Sequence, residues 1–142
     1  MSDTRSADYA ATLLRVSLGV MFLAHAGLKV FVFGIPGTVG FFQSIGYPGA
    51  LAYLVIAAEA LGGAALILGL WTRWVALALV PIMIGATLQH VPNGWLFSAK
   101  GGGWEYPVFW TVTLFVQALL GDGVAALRPG AATTLRTRPA LG

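Results

Sequence analysis

The sequence predicts an all-α fold: an integral membrane four-helix bundle built from two antiparallel hairpins. Three observations carry this expectation. Hydrophobic residues make up 58% of the 142-residue chain and charged residues only 9%, where a soluble domain holds about 25% charged residues. A chain of this size has too little interior to hide so much apolar surface. Four apolar stretches, at about residues 11–33, 51–70, 74–90 and 106–120, approach the roughly 20 residues needed to cross a hydrocarbon core. The segments between them are short enough to make sequence neighbours antiparallel, so residues 1–142 read as one transmembrane domain.

Taken in order, Met1–Ala10 is short and polar and is expected to fray. The first span, 11–33, carries Arg15 near its start and His25 and Lys29 within it. Ala24-His25-Ala26 has the A-x-A form of a leader cleavage site, but the apolar run continues through Val30–Phe33, which argues against a cleaved leader. Gly34–Gly49 is rich in Gly and Pro. Within it, Thr38–Ile45 places Val39, Phe41, Phe42 and Ile45 as a short helix lying in the membrane interface, or as a simple loop.

The second span, Leu51–Leu70, holds Glu59 near its centre. A carboxylate at that depth costs about 2.5–3.5 kcal/mol on insertion scales, so protonation, a partner or a polar cavity must offset it. Ala58, Gly62, Ala65 and Gly69 form a stripe of small residues that lets a neighbouring helix approach. Trp71-Thr72-Arg73-Trp74 is a tight, basic, aromatic turn, and the third span, 74–90, contains Pro81. His90–Glu105 is a second polar loop. The fourth span opens with Pro107, suited to a first helical turn, and the tail 128–142 is expected to be disordered.

Basic residues set the expected orientation. Arg5, Arg15, Arg73, Arg128, Arg136 and Arg138 fall on one side, and Lys29 and Lys100 on the other. The positive-inside rule then puts both termini in the cytoplasm and the two Gly/Pro loops outside. The pI near 9.7 rests on a net charge of only +3, so it is no argument for nucleic acid. The absence of cysteine excludes thiolate chemistry and cysteine-held clusters in this chain. No Gly-rich nucleotide loop or metal-ligand cluster is present, so no metal is expected and no cofactor is evident within the chain.

Counting along the helices places His25 and Glu59 at equal depth, about 12 Å below the outer ends of consecutive spans. Lys29 shares a helix face with His25, one turn further out. Gln89, His90, Glu105 and Tyr106 close the same end from the other hairpin. These seven residues, His25, Lys29, Glu59, Gln89, His90, Glu105 and Tyr106, are the candidate ligand pocket, opening outward; no catalytic residue is assigned. Within it, His25 is the expected partner of Glu59, and Lys29 either snorkels to the interface or folds inward as a rival partner. The plainer alternatives are that His25 and Glu59 only satisfy each other, and that His90 is wetted at a helix end.

The chain also resembles a known family. Leu13-Leu14-Arg15, Phe22-Leu23-Ala24-His25-Ala26-Gly27-Leu28-Lys29-Val30-Phe31, Glu59-Ala60-Leu61-Gly62-Gly63, Gly69-Leu70-Trp71-Thr72-Arg73 and Gly103-Trp104-Glu105-Tyr106-Pro107 occur in the order and spacing of the DoxX family of small bacterial membrane proteins. Ala26 stands where the family's glycine is expected directly after the histidine. The resemblance implies a four-helix protein of the bacterial cytoplasmic (inner) membrane. It also implies association with quinone-linked oxidoreductase complexes, such as the small subunit of a thiosulfate:quinone oxidoreductase, or with detoxifying enzymes.

Three functions follow as expectations. The first is a membrane subunit that binds a quinone-like or other amphipathic molecule near His25, Lys29 and Glu59 and works with a redox partner. The second is a small proton-coupled transporter acting as a homo-oligomer. The third is a membrane scaffold for another protein, in a hetero-complex.

Overall fold

The computed structural model describes residues 3–127. They form five α-helices with no strand among the described residues: α1 (Asp3–Gly27), α2 (Ile35–Ser44), α3 (Ala50–Leu68), α4 (Thr72–His90) and α5 (Glu105–Leu120). A π-helical turn, Leu28–Val32, continues α1, and a 3₁₀ turn, Val91–Asn93, extends α4. The expected disorder of residues 128–142 lies outside the described residues.

With their extensions, α1 (Asp3–Val32), α3 and α4 (Thr72–Asn93) are long and apolar enough to cross a membrane. At 16 residues, α5 is shorter. The apolar exterior supports the same environment. Leu61, Phe109 and Leu119 are respectively 73%, 68% and 81% exposed, side chains that a bilayer solvates and water does not.

Several boundaries differ from the sequence reading, including α4, which begins at Thr72 inside the expected Trp71–Trp74 turn. Helix α1 begins at Asp3, so the segment Asp3–Ala10, expected to fray, is helical. Apolarity marks only the part of a helix suited to lipid. No Gly or Pro interrupts Thr4–Ala10, and Asp3 complements the positive end of the helix dipole. Helix α3 stops at Leu68 because Gly69 adopts φ +73° and closes a Schellman cap, with Leu70 N donating to Ala65 O at 2.9 Å and Gly69 N to Leu66 O at 3.2 Å. A Cβ at Gly69 would fall 2.6 Å from Nη1 of Arg15, so both conformation and space demand glycine there. The short helix expected within Thr38–Ile45 is present and longer, starting at Ile35 with Pro36 in its first turn.

Helices α1 and α3 pack antiparallel, as do α4 and α5, and α3 meets α4. The α1–α3 seam closes on Gly19 and Gly63: a Cβ on Gly63 would sit 2.8 Å from Gly19 O. Gly62, which the small-residue stripe assigned to such a seam, instead abuts Leu79 of α4. The buried side of α3 carries Ala52, Glu59, Gly63 and Leu66, so Glu59 sits on the seam itself. Leu18, Phe22, Leu66, Leu79, Met83, Trp110 and Leu114 fill the core between the helix pairs.

The bundle end bearing the start of α1 is tied by polar side chains. Arg15, 1% exposed, donates through Nη1 to Leu66 O (2.9 Å) and Ile67 O (2.8 Å) and through Nη2 to Val124 O (3.2 Å). Arg73 donates to Ala118 O of α5 at 2.9 Å. Each arginine thus supplies charge to the carbonyl-rich end of a neighbouring helix. Gln117 links Ala11 O and Gly121 O, and Thr12 exchanges hydrogen bonds with Val124.

Candidate functional site

At the opposite end, the π-helical turn carries Lys29. A π turn adds a residue to the helical repeat, and such turns recur at functional sites. Here the Lys29 side chain points across the seam to α3. Its Nζ lies 2.8 Å from Oε2 and 3.0 Å from Oε1 of Glu59, the side chains being 18% and 5% exposed. The same ammonium is 3.5 Å from the His25 carbonyl oxygen. Thr38, buried on α2, donates from its hydroxyl to Lys29 O or Gly34 O, each 3.0 Å away. Helix α2 thereby holds the turn from which Lys29 projects.

Glu59 therefore has the protein partner its depth requires, and that partner is Lys29, the rival in the sequence reading. The His25 ring turns elsewhere. Its Nδ1 donates to Met21 O at 2.9 Å, within its own helix, leaving Nε2 of the neutral ring as an acceptor without a protein hydrogen bond. The ring meets Trp110 edge-on, with centroids 4.8 Å apart. Rotation about α1 gave the carboxylate to Lys29 and turned the His25 ring toward Trp110 of α5.

Trp110, absent from the sequence-based site, is its aromatic centre. It touches Phe22 (4.7 Å), His25 (4.8 Å) and Tyr106 (5.8 Å between centroids) and is 4% exposed. Its Nε1–H has no acceptor, an arrangement that costs about 1–3 kcal/mol in a buried setting. Four tryptophans at the predicted interfaces read as a membrane belt. Trp110 stood four residues into the fourth span, where a tryptophan in mid-helix was the available signal. Thr38 offered no such signal, since its role exists only once α2 folds against the π turn.

Of the remaining candidates, Glu105 ties the neighbouring loop and His90 packs against it. His90 donates from Nδ1 to Ala86 O at 2.6 Å and packs beside Gly102. Glu105 accepts from Phe97 N at 3.1 Å, and Asn93 donates to Gly102 O at 2.8 Å. Tyr106 reaches the cluster through Trp110, but Gln89, His90 and Glu105 make no hydrogen bond or ion pair with Lys29 or Glu59. Among the described residues, no three His, Asp or Glu side chains gather as metal ligands would.

The Lys29–Glu59 pair bridges α1 and α3, while the His25 ring and the Trp110 indole meet between α1 and α5. A family model described as DoxX matches residues 10–92, which include His25, Lys29 and Glu59. This chain belongs to the DoxX family. It is a multi-pass membrane protein, and the resemblance read from its motifs is shown. A relative from Bacillus subtilis (strain 168), described as "Putative oxidoreductase CatD", is 35% identical over 125 residues, 88% of this chain and 89% of the relative. No solved structure matches the chain. The family match ends before α5, the helix that carries Trp110 of this DoxX protein.

Proposed function

We propose that this DoxX protein is the membrane subunit of an oxidoreductase complex and binds a quinone-like, amphipathic molecule beside His25, Lys29 and Glu59. The observation that carries this reading is the Lys29–Glu59 pair, 2.8 Å apart and nearly removed from solvent. Such a pair is rarely worth more to stability than apolar residues of the same volume. Ionisable groups kept at membrane depth accordingly mark ligand or proton paths. The residues present fit a ligand with a carbonyl or hydroxyl head and an apolar tail. Trp110 can donate, His25 Nε2 can accept, and Phe22 and Tyr106 offer ring faces.

Bound there, a quinone would supply the two-electron chemistry. The chain's own residues would bind the head group, exclude water and hold a proton at His25 Nε2 or on Glu59. The chain has no cysteine, so no thiol couple of its own supplies electrons, and a partner oxidoreductase does so. The description of the Bacillus subtilis relative, "Putative oxidoreductase CatD", supports a redox-associated role for this chain.

The reading includes four spans in two hairpins within the bacterial inner membrane, with both termini cytoplasmic. Helix α5, about 24 Å long by helical rise, crosses with its flanking aromatics at the interface. A reporter fused after Arg138 is expected to be active only in the cytoplasm, and a tag between Ser98 and Gly103 to be labelled from outside. Reversed labelling overturns the orientation.

Mass spectrometry of protein extracted in mild detergent tests the ligand. A quinone is expected to co-purify with the wild type and to be depleted in Glu59→Gln, which keeps the side chain's shape but removes its charge. Equal quinone content in the two proteins would leave Glu59 a structural residue only.

A further inference from the structure

Trp110 and His25 are complementary in a way the ion pair is not. The indole nitrogen is a donor only, and in Trp110 it is buried without an acceptor. The imidazole commits its Nδ1 proton to Met21 O, so the neutral ring offers an acceptor only, at Nε2. The two rings are in contact, with centroids 4.8 Å apart. Phe22 packs on the indole with carbon atoms alone, and the Tyr106 hydroxyl makes no hydrogen bond to it. The ring contacts of Trp110 are with Phe22, His25 and Tyr106, none of which is a lysine or arginine that would attract an anion.

Different head groups satisfy this pair unequally. A quinone carbonyl or an ether oxygen can accept from Trp110 but has nothing to give His25. A carboxylate has the same shortcoming and brings a charge without a counter-charge. A phenolic hydroxyl does both, donating its proton to His25 Nε2 while its oxygen accepts from Trp110 Nε1. Resting on the ligand class argued above, we propose that Trp110 and His25 grip a phenolic hydroxyl, so that the site holds the reduced, hydroquinone form in preference to the quinone. Trp110 is the donor common to both forms, and His25 discriminates between them.

Calorimetric titration of the full-length protein in detergent, under anaerobic conditions, tests this with decylubiquinol and decylubiquinone as probes. The wild type is expected to bind the quinol about three- to tenfold more tightly, the value of one added hydrogen bond. Trp110→Phe is expected to weaken both forms by a similar factor. His25→Phe is expected to weaken the quinol alone and erase the preference. Should Trp110→Phe fail to fold, the wild-type preference and its loss in His25→Phe still decide the question. Equal binding of both forms by the wild type, or a preference that survives His25→Phe, overturns this inference and leaves the ligand reading standing. Binding of neither form by the wild type overturns both.

Discussion

Helix α1 and its π-helical extension set one cation toward each end of the bundle and treat the two differently. Arg15, at 1% exposure, spends its terminal nitrogens on Leu66 O, Ile67 O and Val124 O. Lys29, on the π-helical turn, spends its ammonium on the carboxylate of Glu59. Carbonyls at a helix end are fixed dipoles that cannot take a proton, and a guanidinium does not release one in proteins. The Arg15 end is therefore a permanent tie. An ammonium facing a carboxylate contains protons that can move. The same problem, a cation in an apolar helix, has a structural solution at one end and a chemically responsive one at the other.

The largest expected effect breaks the structural end. Arg15→Met strips hydrogen bonds from three carbonyls and should lower stability by at least about 3 kcal/mol. Unfolding in detergent by urea or SDS would measure it; unchanged stability would mean that the buried arginine is no tie.

At the responsive end, Glu59→Leu leaves a buried ammonium unpaired. A cost of about 2–3 kcal/mol is expected, below that of a fully buried pair because Lys29 can swing outward. The double variant Lys29→Met with Glu59→Leu sharpens the contrast. Its stability should return to within about 1 kcal/mol of wild type while quinone co-purification stays lost. A double variant as unstable as the single would make this end structural as well.

Between the two ends, the α1–α3 seam decides whether Lys29 can reach Glu59. Gly63→Ala drives a methyl against the Gly19 carbonyl and should cost about 1–3 kcal/mol. Gly62→Ala meets only the flexible end of Leu79 and should cost less. Equal costs would contradict the seam. The smallest effect belongs to Thr38→Val, which removes the hydroxyl that binds the π turn; about 1 kcal/mol is expected, with weaker quinone retention.

Much of this architecture was open to reading in the residue string. Composition required a membrane, and apolar run lengths located the spans. The Gly/Pro-rich segment from Gly34 marked the end of the first span, and counting at about 1.5 Å per residue put His25 and Glu59 at one level with Lys29 one turn further out. Lys29 was named as a partner for Glu59, though after His25. Of the residues expected to close the pocket, His90 instead bonds to Ala86 O of its own helix, and Glu105 accepts from Phe97 N in the loop, neither joining the ion pair.

What the string alone determined is axial: which segments are helical, where each polar group lies along its helix, and that a carboxylate in the apolar interior must find a partner. What tertiary structure decided is rotational. Each residue turns a helix by about 100°, and these helices are apolar all round, so no polar face announces which side meets a neighbour. The π turn shifts that rotation again, just where Lys29 leaves the backbone. The contact of Gly19 with Gly63, with Arg15 and Lys29 reaching α3 on either side of it, sets the phase between α1 and α3. Only the packing of α5 against α1 brings Trp110 to His25.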